Sequence, residues 1–135
     1  MSLEMLKSVM TSTVLALALV QALVMAQVRG YVNLLPVGKR QLVRWHRLEG
    51  AATLLLALAV AAMCVFGERY AYYPPRVLAH AVMGGLAVLV LATKAAISNR
   101  FRRHLRHALA LGTAAGLLIL GTFITSALWY FVQVA

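Results

Sequence analysis

The chain has 135 residues, of which 63% are hydrophobic and only 12% are charged. Soluble domains carry about 25% charged residues, so this composition excludes an ordinary water-soluble domain. Three acidic residues stand against thirteen Lys and Arg, which leaves too few carboxylates for paired acid/base catalysis or for an oxygen cage around a hard cation. A single cysteine permits neither an intrachain disulfide nor a zinc site built on cysteine pairs. The composition therefore predicts an integral membrane protein.

Four apolar segments follow one another along the chain. The first, residues 8–28, has no charged side chain and would be about 32 Å long as a helix, close to the thickness of a bilayer core. We predict helices at about 8–28, 44–67, 77–97 and 106–133, which form a single all-α domain, a four-helix up-down bundle. We expect the first segment to be retained and not cleaved as a signal peptide, because Val24-Met25-Ala26 is a poor cleavage site.

The basic residues predict the orientation of the bundle. Ten of the thirteen fall in or next to the connections after the first and third helices, whereas only Lys7, Arg69 and Arg76 fall on the other side. The positive-inside rule then places both basic connections in the cytoplasm and both termini outside. Because the basic residues lie between apolar segments and not on a soluble face, we expect them to face lipid headgroups and not nucleic acid. We predict a multi-pass protein of the bacterial inner membrane.

The four histidines are the candidate functional residues, since polar side chains at the edge of a hydrocarbon core are costly and usually have a partner. His46 lies near the inner start of helix 2, and His80 lies near the outer start of helix 3. His104 and His107 are three residues apart, so they share a face at the inner start of helix 4.

A glycine follows two of these histidines at a spacing of four residues, in the pairs His46/Gly50 and His80/Gly84. Each glycine lies one turn deeper on the face of its histidine and leaves room for a flat ring. A b-type haem in a helical bundle needs axial nitrogen or sulfur ligands together with small residues where the porphyrin lies against backbone. Glycines at this spacing are also common where membrane helices pack closely, so both interpretations stay open.

Depth in the membrane suggests which ligands pair. On the inner side His46 could face His107 or His104, and on the outer side Met63 lies at about the depth of His80. Methionine sulfur is an accepted axial ligand, although a methionine in an apolar span is more often core filler. His46 and Met63 are 17 residues apart, about 100° around the helix axis. The two residues therefore do not share a face of helix 2, and one haem is favoured over two. Tyr72, Tyr73 and Trp129 are candidate walls of the outer pocket.

The stretch from Arg44 to Phe131 resembles a family of small bacterial four-helix membrane proteins that look like b-type cytochrome and ferric-reductase membrane domains. The residues that carry the resemblance are Trp45-His46-Arg47-Leu48-Glu49-Gly50, Cys64, Arg76-Val77-Leu78-Ala79-His80, Gly84, Lys94 and Thr125-Ser126-Ala127-Leu128-Trp129-Tyr130-Phe131. The resemblance implies a four-helix bundle with histidines at the positions of His46 and His80, and a haem. Members of this family carry a histidine directly before the cysteine that corresponds to Cys64, where this chain has Met63.

Two functions follow from these observations. The first is a b-type cytochrome-like electron-transfer subunit or anchor of a larger redox complex, which would exchange electrons with a quinone or an external carrier and would not turn over a substrate alone. The second is a cofactor-free structural or accessory subunit of a multi-subunit membrane complex. Proton or ion transport is disfavoured, because the spans carry no ionisable group at mid-membrane.

Overall fold

In the computed structural model, residues 1–67 and 74–135 are described, and their regular structure is entirely helical. The helices are α1 (Leu3–Val28), α2 (Lys39–Phe66), α3 (Pro75–Asn99), α4 (Ala108–Phe123) and α5 (Trp129–Val134). A 3₁₀ turn, Arg102–His107, precedes α4, and a π-helical segment, Ile124–Leu128, joins α4 to α5. Four spans are long and apolar enough to cross a membrane, the fourth running through Arg103–Val134. This is the architecture of a multi-pass membrane protein.

The first three helices begin at earlier residues than the positions of the charged side chains led us to predict. Ser2 caps α1, where its Oγ accepts a hydrogen bond from the N–H of Met5 at 3.2 Å, so the helix starts at Leu3 and not near residue 8. Similarly, α2 starts at Lys39, and α3 starts at Pro75, a residue suited to the first helical position. A helix accommodates charged residues where it leaves the hydrocarbon, so charge alone does not mark the ends of these helices. The fourth span runs through Arg103–Val134, close to the predicted helix over 106–133, and a 3₁₀ turn and a π-helical segment change its helical pitch.

The spans form an up-down bundle in which α1 packs on α2 and α4, and α3 packs on α2 and α4. At one end, Leu3 lies close to Gly67, and Arg76 at the start of α3 contacts Thr125 and Trp129 of the fourth span. We call this the termini end. The opposite end holds residues 29–47 and 94–107, with ten of the thirteen Lys and Arg, and we call it the basic end.

The centre of the bundle is small and apolar. The buried cluster consists of Val14, Ala87, Leu91, Ala115 and Ile119. Many large apolar side chains elsewhere on the spans are exposed, such as Leu55, Leu89 and Leu117. An exterior of this kind is expected where helices are solvated by lipid.

One buried polar contact ties α1 to α2. Gln21 Nε2 donates to Thr53 Oγ1 at 2.7 Å, and Thr53 Oγ1 in turn donates to the carbonyl of Glu49 at 2.7 Å. Thr53 is fully buried, with 0% of its surface exposed. The bond therefore fixes how the two helices are rotated against each other.

Thr53→Val should destabilise the bundle by about 1 kcal/mol, because valine has the same shape but leaves the buried Gln21 amide without its acceptor. Thermal unfolding in detergent, followed by the far-UV circular dichroism of the helices, measures the change. In the double variant Gln21→Leu/Thr53→Val, both polar groups are gone and much of the loss should be recovered. Equal losses in the single and double variants would contradict this account of the bond.

Candidate cofactor cavity at the termini end

A cavity of about 890 Å³ lies inside the bundle at the termini end. All four spans contribute to its wall, and the core residues Val14, Ala87 and Ile119 lie at its inner limit. The volume is in the range of about 300–1,000 Å³ that is typical of cofactor sites. The cavity is therefore large enough for an organic cofactor.

His80 lines this cavity from α3. Its Nδ1 lies 3.3 Å from the carbonyl oxygen of Thr122 in α4. Because a carbonyl only accepts, this contact requires the proton on Nδ1 and leaves Nε2 with a free lone pair. A histidine whose other ring nitrogen is bonded to a backbone carbonyl is the usual arrangement of a metal-binding imidazole.

The helix opposite His80 is irregular. The π-helical segment Ile124–Leu128 begins two residues after Thr122. Ser126 Oγ donates to the Thr122 carbonyl at 2.7 Å, and Thr125 Oγ1 donates to the Gly121 carbonyl at 2.9 Å with a longer contact of 3.2 Å to the Thr122 carbonyl. Segments with π geometry are frequent at functional sites. The carbonyl that orients His80 therefore also accepts the Ser126 hydroxyl within an unusual turn. The predicted elements did not include this turn, although hydroxyl residues at 122, 125 and 126 in an apolar span are a signal for it.

Charged side chains lie on the wall nearest the termini. Arg76, one turn before His80 on α3, donates from Nη1 to the Thr125 carbonyl at 2.6 Å, and its guanidinium carbon lies 5.0 Å from the centre of the Trp129 ring. Lys7 and Glu4 of α1 form an ion pair at 2.5 Å and also line the cavity. The arginine is held by a hydrogen bond and by a cation–π contact, so it is a fixed positive charge beside the cavity.

The glycines of the cavity are not in tight helix–helix contact. A Cβ on Gly84 would meet the Thr122 methyl carbon at 3.8 Å, an ordinary contact, and a Cβ on Gly85 would meet no atom within 4 Å. Both residues line the cavity. In contrast, a Cβ on Gly121 would lie 2.6 Å from the sulfur of Met83. Close packing therefore explains Gly121, whereas Gly84 and Gly85 enlarge the cavity.

The predicted second ligand is Met63 of α2, the neighbour of a residue that lines the cavity. Met63 is half-buried near the end of α2, where its carbonyl accepts the N–H of Gly67 at 2.9 Å. The described residues that line the cavity include its neighbour Cys64 but not Met63. The pairing of His80 with Met63 stays a prediction. Of the predicted pocket walls, Trp129 lines the cavity, while Tyr72 and Tyr73 lie outside the described residues.

At the basic end, His46 lines a pocket whose described lining residues do not include His104 and His107. His46 and Gly50 line a second pocket, of about 320 Å³, together with Gln21 and Lys94. His104 and His107 are not among the described residues of that pocket; their rings stack on each other with centroids 6.3 Å apart. They are also bonded to the arginines that precede them, at 3.1 and 3.2 Å. The structure thus does not bring His46 and His107 into one site, and their pairing stays a prediction.

A family model described as a family of unknown function (DUF6529) matches residues 1–135. The chain belongs to this family. No curated protein and no solved structure matches the chain. The family shares the whole length of the chain, so both the termini-end cavity and the pocket at the basic end lie within the region that the match covers.

Proposed function

We propose that the chain binds a b-type haem in the termini-end cavity and acts as a membrane electron-transfer subunit or anchor of a larger redox complex. The observation that carries the proposal is the hydrogen bond from His80 Nδ1 to the Thr122 carbonyl. It leaves Nε2 as the free donor nitrogen in a cavity of suitable size. Histidine is a common protein ligand of haem iron.

The other residues of the cavity suit the same group. Gly84 and Gly85 provide a wall without side chains, as a flat macrocycle requires. A b-type haem also carries carboxylates, and Arg76 is a fixed cation one turn nearer the termini end than His80. The cavity is apolar at its inner limit and charged on the wall nearest the termini. This polarity matches a ligand that is apolar at one edge and anionic at the other.

When bound, haem supplies one-electron transfer, and the protein supplies ligation, orientation and electrostatics. His80 would hold the iron through Nε2, and the Thr122 carbonyl would keep its proton on Nδ1. Arg76 would hold an anionic edge, and the apolar core cluster would exclude water from the inner side. As electron partners we propose a quinone in the bilayer or an external carrier, or another subunit of the redox complex. We place the protein in the bacterial inner membrane.

The test is a pair of absorption spectra of the purified full chain in detergent, oxidised and reduced with dithionite, after expression with excess haem precursor. A pyridine haemochrome assay gives the stoichiometry. We expect a b-type spectrum and about one haem per chain, since only the termini-end cavity combines the volume with an oriented histidine among the described residues. A chain that stays colourless when haem is supplied in excess would overturn the proposal and favour a cofactor-free structural subunit.

The second ligand has a test of its own. If Met63 completes the ligand pair, Met63→Ala should lower the reduction potential of the bound haem, because His/Met ligation raises it. Cys64→Ala is the matched control, since it alters the next residue, which lines the cavity, without removing the predicted ligand. An unchanged potential and spectrum in Met63→Ala would remove Met63 from the ligand set and leave His80 in place.

A further inference from the structure

The pocket at the basic end has a polar part and an apolar part. It lies between α2 and α3, with Gln21 of α1 at one side. The polar residues are His46, Arg47, Lys94, Ser98 and Asn99. The apolar residues, which lie farther along the spans from the basic end, include the buried Leu91, the half-buried Leu54 and the exposed Leu55. The electron-transfer proposal uses none of these side chains except His46, a candidate for a second site.

Lys94 is the most informative of the polar residues. Its Nζ is directed toward α4 and lies 3.4 Å from the position that a Cβ on Gly112 would occupy. The side chain is half-buried within the bundle. In the described part of the chain no carboxylate pairs with it, and the ion pair found there joins Glu4 and Lys7 at the other end. An ammonium group inside a membrane bundle is costly unless it has a partner, so an anion bound beside Lys94 would offset that cost.

A second cation lies beside it. Arg47 Nη2 donates to Asn99 Oδ1 at 3.1 Å, which holds the guanidinium at the mouth of the pocket between α2 and α3. The nearest acidic residue along α2, Glu49, is not among the described residues that line the pocket. Arg47, Lys94 and Ser98 therefore line one small pocket, and no described acidic residue lines it.

We propose that this pocket binds an anionic phospholipid, with Lys94 and Arg47 on the headgroup phosphate and with Leu54, Leu55 and Leu91 against an acyl chain. Basic pockets between membrane helices are suited to anionic headgroups, and arginine matches the geometry of phosphate. The apolar part of the pocket favours a lipid over a free anion, since a free anion would leave that surface unused. The basic end, with its ten Lys and Arg, is also the end where anionic headgroups concentrate.

The experiment is native mass spectrometry of the full chain in detergent micelles, titrated with phosphatidylglycerol and with phosphatidylcholine of the same acyl chains. We expect tighter binding of phosphatidylglycerol. Lys94→Gln and Arg47→Gln should each weaken that binding about fivefold, as expected for the loss of one basic contact. The matched control is Arg40→Gln, because Arg40 is exposed on α2, as Arg47 is, and is not among the described residues that line the pocket. The affinity of this variant for phosphatidylglycerol should stay close to that of the wild type.

Several results would overturn the proposal. Equal binding of the two lipids, or an equal loss in Arg40→Gln, would reduce the effect to general attraction by the basic surface. Displacement of the lipid by inorganic phosphate alone would assign the pocket to a free phosphate. If Lys94→Gln fails to fold, Arg47→Gln carries the test, because Arg47 is exposed and its loss leaves the bundle interior unchanged.

Discussion

His80→Ala should lose haem and yield a nearly colourless protein with the helical content of the wild type. The reason is that His80 supplies the nitrogen oriented by the Thr122 carbonyl. Loss of an outer-shell partner alone typically weakens metal binding by about 10–100-fold, and loss of the ligand itself should have a larger effect. The measurement is a haem titration of the purified variant followed by the absorption spectrum, with circular dichroism to confirm the fold. Millimolar imidazole should restore part of the spectrum, because it can replace the missing ring in the space that the substitution opens.

The matched control is His107→Ala, since His107 is an exposed histidine at the other end of the bundle. It should bind haem as the wild type does. If His80→Ala bound haem with unchanged affinity and spectrum, the ligand would be another residue and the assignment of the termini-end cavity would be wrong. A loss in both variants, with the wild type loaded, would contradict the assignment of the haem to the termini-end cavity alone, because His107 is also a predicted ligand at the basic end.

The four-helix architecture was predictable from the sequence because uncharged stretches of about twenty residues have few folded alternatives in a bilayer. The ends of the helices were less predictable. Lys39 and Arg40 were expected in a connection, yet α2 begins at Lys39, because long basic side chains extend to the interface while their backbone stays helical. Pro75 was a stronger signal than charge, since proline suits the first turn of a helix.

The candidate site was predictable in part. His80 and Gly84 were identified from their spacing, and the structure places both on one cavity. The π-helical turn that presents the Thr122 carbonyl was not predicted, because single-turn changes in helical pitch depend on the competition between backbone and hydroxyl hydrogen bonds in the folded state. The role of Arg76 was also missed. Its partners, Thr125 and Trp129, are about 50 residues away in sequence, and no local pattern connects them.

The conformation of the Lys94 side chain was likewise not predictable from the local sequence. From its place at the end of an apolar segment we expected its side chain to reach the headgroups directly. The structure instead directs its amine toward Gly112 in α4, inside the bundle. A glycine on a neighbouring helix provides the space for this conformation. Which of the two arrangements a lysine adopts depends on the helix beside it, and the sequence of α3 alone does not contain that information.

Gly84→Leu should abolish haem binding while the bundle stays folded. Gly84 lines the cavity, and a Cβ there makes only an ordinary contact, 3.8 Å from the Thr122 methyl carbon. Because Gly84 lines the cavity, we expect a leucine side chain there to fill space assigned to the macrocycle. Filling a cavity with an apolar side chain commonly stabilises a protein by about 0.5–2 kcal/mol, so the melting temperature of the haem-free variant should be equal to or above that of the haem-free wild type.

Gly84→Ala is the matched control, because it adds one carbon at a distance that the structure tolerates. It should bind haem with a modest loss, and the series Gly, Ala, Leu should show haem occupancy falling as side-chain volume rises while thermal stability does not fall. If Gly84 served close helix packing instead, alanine would already destabilise the bundle, and stability and haem would be lost together. The two accounts thus predict opposite changes in melting temperature for the same pair of variants. Haem titration and thermal unfolding of the same samples therefore decide between a packing surface and a cofactor wall.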